Sequence, residues 1–125
     1  MSHFTSIQTQ IKDIEALREA CAELGLEVLA KAEARGYGST AHPGEFVIRL
    51  KGPYDVALNR QTDGTFGLTT DWWDGHVEKE VGGNYGRLLQ LYAVHKTARE
   101  ARKRGLSVQR TQRTDGSIKL TLGGL

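Results

Sequence analysis

The chain has 125 residues, of which 38% are hydrophobic and 26% charged, and a formal net charge of +2. That length suits a single domain spanning residues 1–125, which buries roughly two-thirds of the surface its unfolded chain exposes and needs neither disulfides nor structural zinc. No apolar run approaches the ~20 residues of a membrane helix, and the lone cysteine, Cys21, excludes an internal disulfide.

The N-terminus, MSHFTSIQTQIKD, lacks the basic stretch and apolar block of a secretory signal, so a cytoplasmic location is expected. HFTSIQTQ then alternates as a strand does. Ile14, Leu17, Cys21 and Leu24 recur at helical spacing, which predicts a helix from about Asp13, its N-cap, to Leu24, with Gly25 ending it. GLEVLAKAEA and EFVIRLK read as strands on either side of a loop, RGYGSTAHPG. DVALNRQTDGTFGLTTDWW and SVQRTQRTDGSIKLTL each set Asp-Gly between alternating segments, where both residues tolerate the positive φ of tight turns, so two β-hairpins are expected.

Between these hairpins a longer helix begins near Asn84 and carries Leu88, Leu91, Tyr92, His95 and Ala98 along one stripe. It stops at Gly105, after a basic run that suits the negative end of the helix dipole. Each helix leads into a similar tetrapeptide, GLEV or GLSV, although four matched positions do not establish duplication. The order of elements predicts an α+β fold: an antiparallel sheet with two helices on one face, a two-layer sandwich. Its other face would be available to a partner, and its free edges would permit a homodimer.

Charge is divided unevenly. Up to Gly83 there are eight Lys or Arg against thirteen Asp or Glu, and from Asn84 onward nine against two. This pattern fits either two faces that attract each other or a nucleic-acid footprint. For the latter, Lys96, Arg99, Arg102, Lys103, Arg104, Arg110 and Arg113 would meet phosphates, and Tyr85, Tyr92 or a tryptophan would stack on bases.

The segment TTDWWDGHVEKEVGG holds most of the candidate chemistry. If the strand continued, Asp74, His76, Glu78 and Glu80 would project from one face as nitrogen and oxygen ligands for a metal-assisted enzyme. Alternation equally describes a solvated strand, and no HExxH or paired-cysteine motif occurs. Asp71 and Asp74, or His76 with Glu78, are acid–base candidates only in a pocket poor in water. The glycines of VGGNYGRLL could offer amides and Arg87 to an anion, but serve more simply to turn the chain into the helix. Cys21 and His95 lie on apolar stripes and are expected to be buried and structural.

Adjacent strand residues point to opposite faces, so Trp72 and Trp73 should divide, one entering the core and one reaching the surface. An exposed Trp beside Asp74 and His76 resembles the anchors of protein interfaces, with Arg99, Arg102 and Lys103 as a second, electrostatic contact. A non-catalytic binding or accessory module without a cofactor is therefore expected. The metal enzyme and the nucleic-acid binder are the alternatives.

MSHFTSIQTQIKDIEALREACAELGLEV, the DVALNRQTDGTFGLTTDWW hairpin and LLQLYAVHKTAREARKRG resemble the hypothetical chloroplast reading frame thirty-five family of plastids, cyanobacteria and other bacteria. That family has no known function, so the resemblance supplies no catalytic residues. It implies a compact stromal or cytosolic protein, with AAA-type ATPases and small ferredoxin-like proteins as candidate partners.

Overall fold

The computed structural model describes residues 3–124. The chain begins with β1 (Thr5–Gln8), α1 (Ile14–Glu23), β2 (Glu27–Arg35) and β3 (Ala41–Arg49), followed by β4 (Val56–Arg60) and β5 (Phe66–Thr70). Then come a short helix α2 (Glu78–Val81), the long helix α3 (Gly86–Lys103), β6 (Ser107–Gln112) and β7 (Ile118–Gly123). The first five strands make one antiparallel sheet in the order β1-β5-β4-β3-β2, and β6 and β7 pair separately. The α+β architecture expected from the sequence is observed.

One face of the sheet presents Ile48, Val56, Leu58, Phe66 and Leu68, all fully buried. Onto it pack Ala16, Leu17, Ala20 and Cys21 of α1 and Leu88, Leu91 and Tyr92 of α3, so both helices cover the same face. Helix α1 starts where Asp13 accepts the amides of Glu15 and Ala16 at 3.0 and 3.1 Å. It ends where Leu26 donates to the Cys21 carbonyl and Gly25 adopts φ +75°. The Cys21 thiol is buried as expected, and desolvation pushes its pKa up to about 12, which makes it a poor nucleophile.

The other face is not free, contrary to the expectation. β3 pairs with β4 only from Phe46 to Ile48, while its pairing with β2 runs on to Ala41. The ladder is interrupted at Lys31, which adopts φ +51°, and beyond that point the β2–β3 hairpin folds back across its own sheet. Ala34 thereby reaches Val47 and Ala57, and all three are completely buried, with Phe4 packed alongside. Gly44 permits the close approach: a Cβ there would lie 2.5 Å from the Phe46 carbonyl oxygen and 3.2 Å from Ala57 Cβ.

Asp55 pins the arm in place. Its carboxylate, fully buried, accepts the amides of Arg35 (2.9 Å) and Leu50 (3.1 Å) and both Nε and Nη2 of Arg35 at 2.8 Å. The Asp55 amide returns a bond to the Arg35 carbonyl at 3.0 Å. Burial alone would raise the Asp55 pKa, but these donors outweigh it and hold the carboxyl below its ordinary value.

Part of the uneven charge is resolved within the molecule. Arg110 of β6 grips Glu23 of α1 through two bonds of 2.8 and 2.7 Å, and His95 Nε2 lies 2.8 Å from the same carboxylate. Arg99 reaches Glu19 at 3.3 Å and Asp13 at 3.7 Å. The His95 side chain is 23% exposed and bonded to Glu23, so it lies at the edge of the core and not enclosed in it, because its place on α3 faces the acidic surface of α1.

Candidate partner-docking site

The expected strand does not extend through DWWDGH. β5 ends at Thr70, and the fully buried Asp71 turns the chain by accepting two amides: Trp73 on Oδ1 and Tyr37, from the tip of the folded-back arm, on Oδ2, both at 3.0 Å. One carboxylate thus fastens two loops that are far apart in sequence. The tryptophans divide as expected, although the cause is this turn and not strand alternation. Trp72 packs half-buried against the core with its ring 4.8 Å from that of Tyr85, and Trp73 points outward, 43% exposed.

Trp73 does not stand alone. Tyr37, 46% exposed, meets it edge to face at 5.7 Å and 77°, so the two rings form a corner. Behind them lies the buried Tyr54. Its hydroxyl pKa is raised by desolvation first and then by the neighbouring Asp71, Tyr37 and Asp74 groups, which places aromatic and acidic groups in one neighbourhood. The Asp74 side chain is 73% exposed, and its residue takes φ +57° before Gly75 at +72°. Non-glycine residues rarely adopt such angles, and Asn84 and Tyr85 repeat them at +53° and +62° at the start of α3.

The metal-ligand arrangement expected of an extended strand is absent, because Trp73–Gly75 forms a 3-10 turn and Glu78 to Val81 is helical. His76 packs edge to face on Tyr54 at 5.2 Å, with Nε2 3.8 Å from Asp74. Glu80 faces elsewhere and caps the amides of Lys51 and Gly52 at 2.7 and 2.9 Å, while Glu78 lies beside Gly83. Among the described residues, no three His, Cys, Asp or Glu side chains are grouped so that they could hold a metal ion. The glycines serve the turn: a Cβ at Gly82, which has φ +85°, would stand 2.7 Å from the Arg87 backbone nitrogen.

The residues assigned to phosphate contact and base stacking do not form one nucleic-acid surface. Tyr85 is buried, and Tyr92 is buried with its hydroxyl accepting the amides of Lys12 and Asp13 at 3.1 Å, so neither ring can stack on a base. Arg99 and Arg110 are engaged by α1. Arg102, Lys103 and Arg104 are exposed at the end of α3, and Arg102 and Lys103 lie beside Glu19 and Arg99, on the side of the molecule that carries the α1–α3 ion pairs. Sequence reading missed Tyr37 as a site residue; its one local signal is an aromatic between two glycines in RGYGST, where packing seldom calls for one.

A family model described as "Protein of unknown function (DUF1257)" matches residues 20–121, most of the chain. The chain belongs to this family. An "Uncharacterized protein ycf35" of Pyropia yezoensis is 31% identical over 96% of this chain and 94% of the relative. A second protein of that description, from Guillardia theta, is 29% identical over 98% of this chain and 96% of its own. No solved structure matches. The resemblance seen in the sequence is thus established, and family membership assigns no activity. No helix among the described residues is long and apolar enough to cross a membrane.

Proposed function

We propose that this chain is a non-catalytic docking module that binds a basic segment of a protein partner through Trp73, Tyr37 and Asp74. The observation that carries the reading is the exposed corner of two aromatic rings fastened by the single buried carboxylate of Asp71. Rings fixed in advance lose little freedom on binding, which is why tryptophan and tyrosine dominate interface energetics. Two ring faces beside an exposed carboxylate suit a lysine or arginine side chain, whose charge is attracted to the aromatic faces and to Asp74. Arg102 and Lys103 offer a separate contact to acidic surface.

The test is affinity purification from the native host with wild type, Trp73→Ala, Tyr37→Ala and Asp74→Lys, with AAA-type ATPases among the proteins quantified. At least one protein should be recovered by wild type and fall about tenfold or more with each variant, while all variants melt as wild type does. Recovery that is the same for wild type and the folded variants would reject the proposal.

A further inference from the structure

We infer that the outer edge of β1, together with the adjoining ridge of α3, is a self-association surface whose occupant is a second copy of this chain. It lies apart from the Trp73 corner and does not depend on it. The two edges of the five-stranded sheet are β1 and β2. β2 carries Glu27, Lys31 and Glu33 and is kinked at Lys31, devices that discourage edge pairing. β1 reads Thr-Ser-Ile-Gln, with no charge, proline or bulge, and all four residues are exposed.

Ile7 pairs with the core residue Leu68, which puts it on the helix-covered face, yet it is 41% exposed because no helix extends over that edge. The same face continues through Thr9 and Ile11 into a groove of about 420 Å³ walled by Leu89, Ala93 and Thr97 of α3. Leu89, Ala93 and Thr97 are spaced by four, so they form one ridge, and its small middle residue lets another helix approach closely.

Charge selects the occupant. The rim of the groove carries one cation and one anion, Lys96 and Glu100, bonded to each other at 2.8 Å. A two-fold axis beside β1 sets the second β1 antiparallel to the first and the second α3 antiparallel along the same side of the sheet. Each rim is neutral overall, because Lys96 and Glu100 of one helix satisfy each other, so two copies meet without like-charge opposition. A surface of this kind is complementary to itself and to no strongly charged partner. A stable interface buries about 1,200–2,000 Å² in total, more than a four-residue edge supplies, so ridge and edge must act together.

Sedimentation equilibrium on the full chain tests this with wild type, Ile7→Lys, Ala93→Arg, Lys96→Glu and Glu100→Lys, the last two alone and as an equimolar mixture. Wild type should be a dimer. Ile7→Lys and Ala93→Arg, both at exposed positions, should raise its dissociation constant about tenfold or more with unchanged far-UV circular dichroism. Lys96→Glu, which leaves two like charges on each rim, should weaken the dimer, and mixing it with an equal amount of Glu100→Lys chains should restore association, because the two rims then carry opposite charge while each helix still holds its own like-charge pair. Trp73→Ala should leave it intact. A wild-type monomer throughout the accessible concentration range, or a dimer indifferent to Ile7→Lys and Ala93→Arg, overturns the inference.

Discussion

Replacement of Asp55 by alanine tests the folded-back arm most directly. The carboxylate is completely buried and serves two backbone amides and the Arg35 guanidinium, with Arg49 Nε a further 3.8 Å contact. Its removal leaves the buried Leu50 amide and the Arg35 amide unsatisfied, at about 1–3 kcal/mol for a fully desolvated group. The guanidinium contributes less. Arg35 is 43% exposed at its side chain and keeps bonds to the Leu50 and Gly52 carbonyls, so it rehydrates in place. The expected loss is therefore about 3 kcal/mol, nearer the cost of two stranded amides than that of a broken fully buried ion pair. Urea denaturation should show a lower midpoint, and hydrogen exchange should show protection falling first at the Arg35 and Asp55 amides, which join the arm to the sheet. A loss below about 1 kcal/mol, or lost protection spread evenly over α1 and α3, would refute the pinning role.

Glu23 should make stability depend on pH in a defined window. The Arg110 bonds foremost, opposed by burial and helped by His95, depress its pKa from 4.5 to about 2. A depressed carboxyl stabilises the fold above its unfolded value, so the advantage of wild type over Glu23→Gln should be full above about 4.5 and vanish as the pH falls through about 2. Screening at this partly exposed carboxylate limits the advantage to about 1 kcal/mol, measurable as the difference between urea midpoints across that range. The tryptophans should separate by stability: Trp72→Ala should cost about 2 kcal/mol or more because its ring rests on Tyr85 and the core, whereas Trp73→Ala should change stability by no more than about 0.5 kcal/mol. Equal losses in thermal or urea unfolding would show that both indoles are structural.

The elements legible in the sequence are those whose causes are local. Asp13, Gly25 and Gly105 mark helix ends through stereochemistry acting within a few residues, and alternation with Asp-Gly marks the hairpins. The fold-back had no such signature. It depends on Lys31 in an unfavourable conformation, on the absent side chain of Gly44 and on Asp55, twenty residues beyond the Arg35 it holds, so only tertiary contacts select it. For the same reason Tyr37 could not be joined to Trp73 in advance. Both are placed by Asp71, which in the sequence looks like one more acid at a strand end. His95 was misplaced because a helical stripe gives the direction of a side chain but not the chemistry of the surface opposite. Here that surface is the acidic side of α1.

The two halves of the chain show how far local similarity reaches. After α1, Leu26 donates to Cys21 and Gly25 has φ +75°; after α3, Leu106 donates to Ala101 and Gly105 has φ +78°. The turns match as closely. Thr65 donates its amide to Asp63 at 2.9 Å before Gly64 closes onto Gln61, and Ser117 does the same with Asp115 before Gly116 closes onto Arg113. Yet β2 joins a five-stranded sheet, whereas β6 pairs only with β7 and is held to α1 by Arg110 and Glu23. An isolated two-stranded hairpin is marginal in water, so β6–β7 depends on that ion pair and on Ile118 packing against the core. The repeated tetrapeptides therefore encode a helix stop and the start of a strand, and what each strand then joins is decided by the apolar and charged surface it meets.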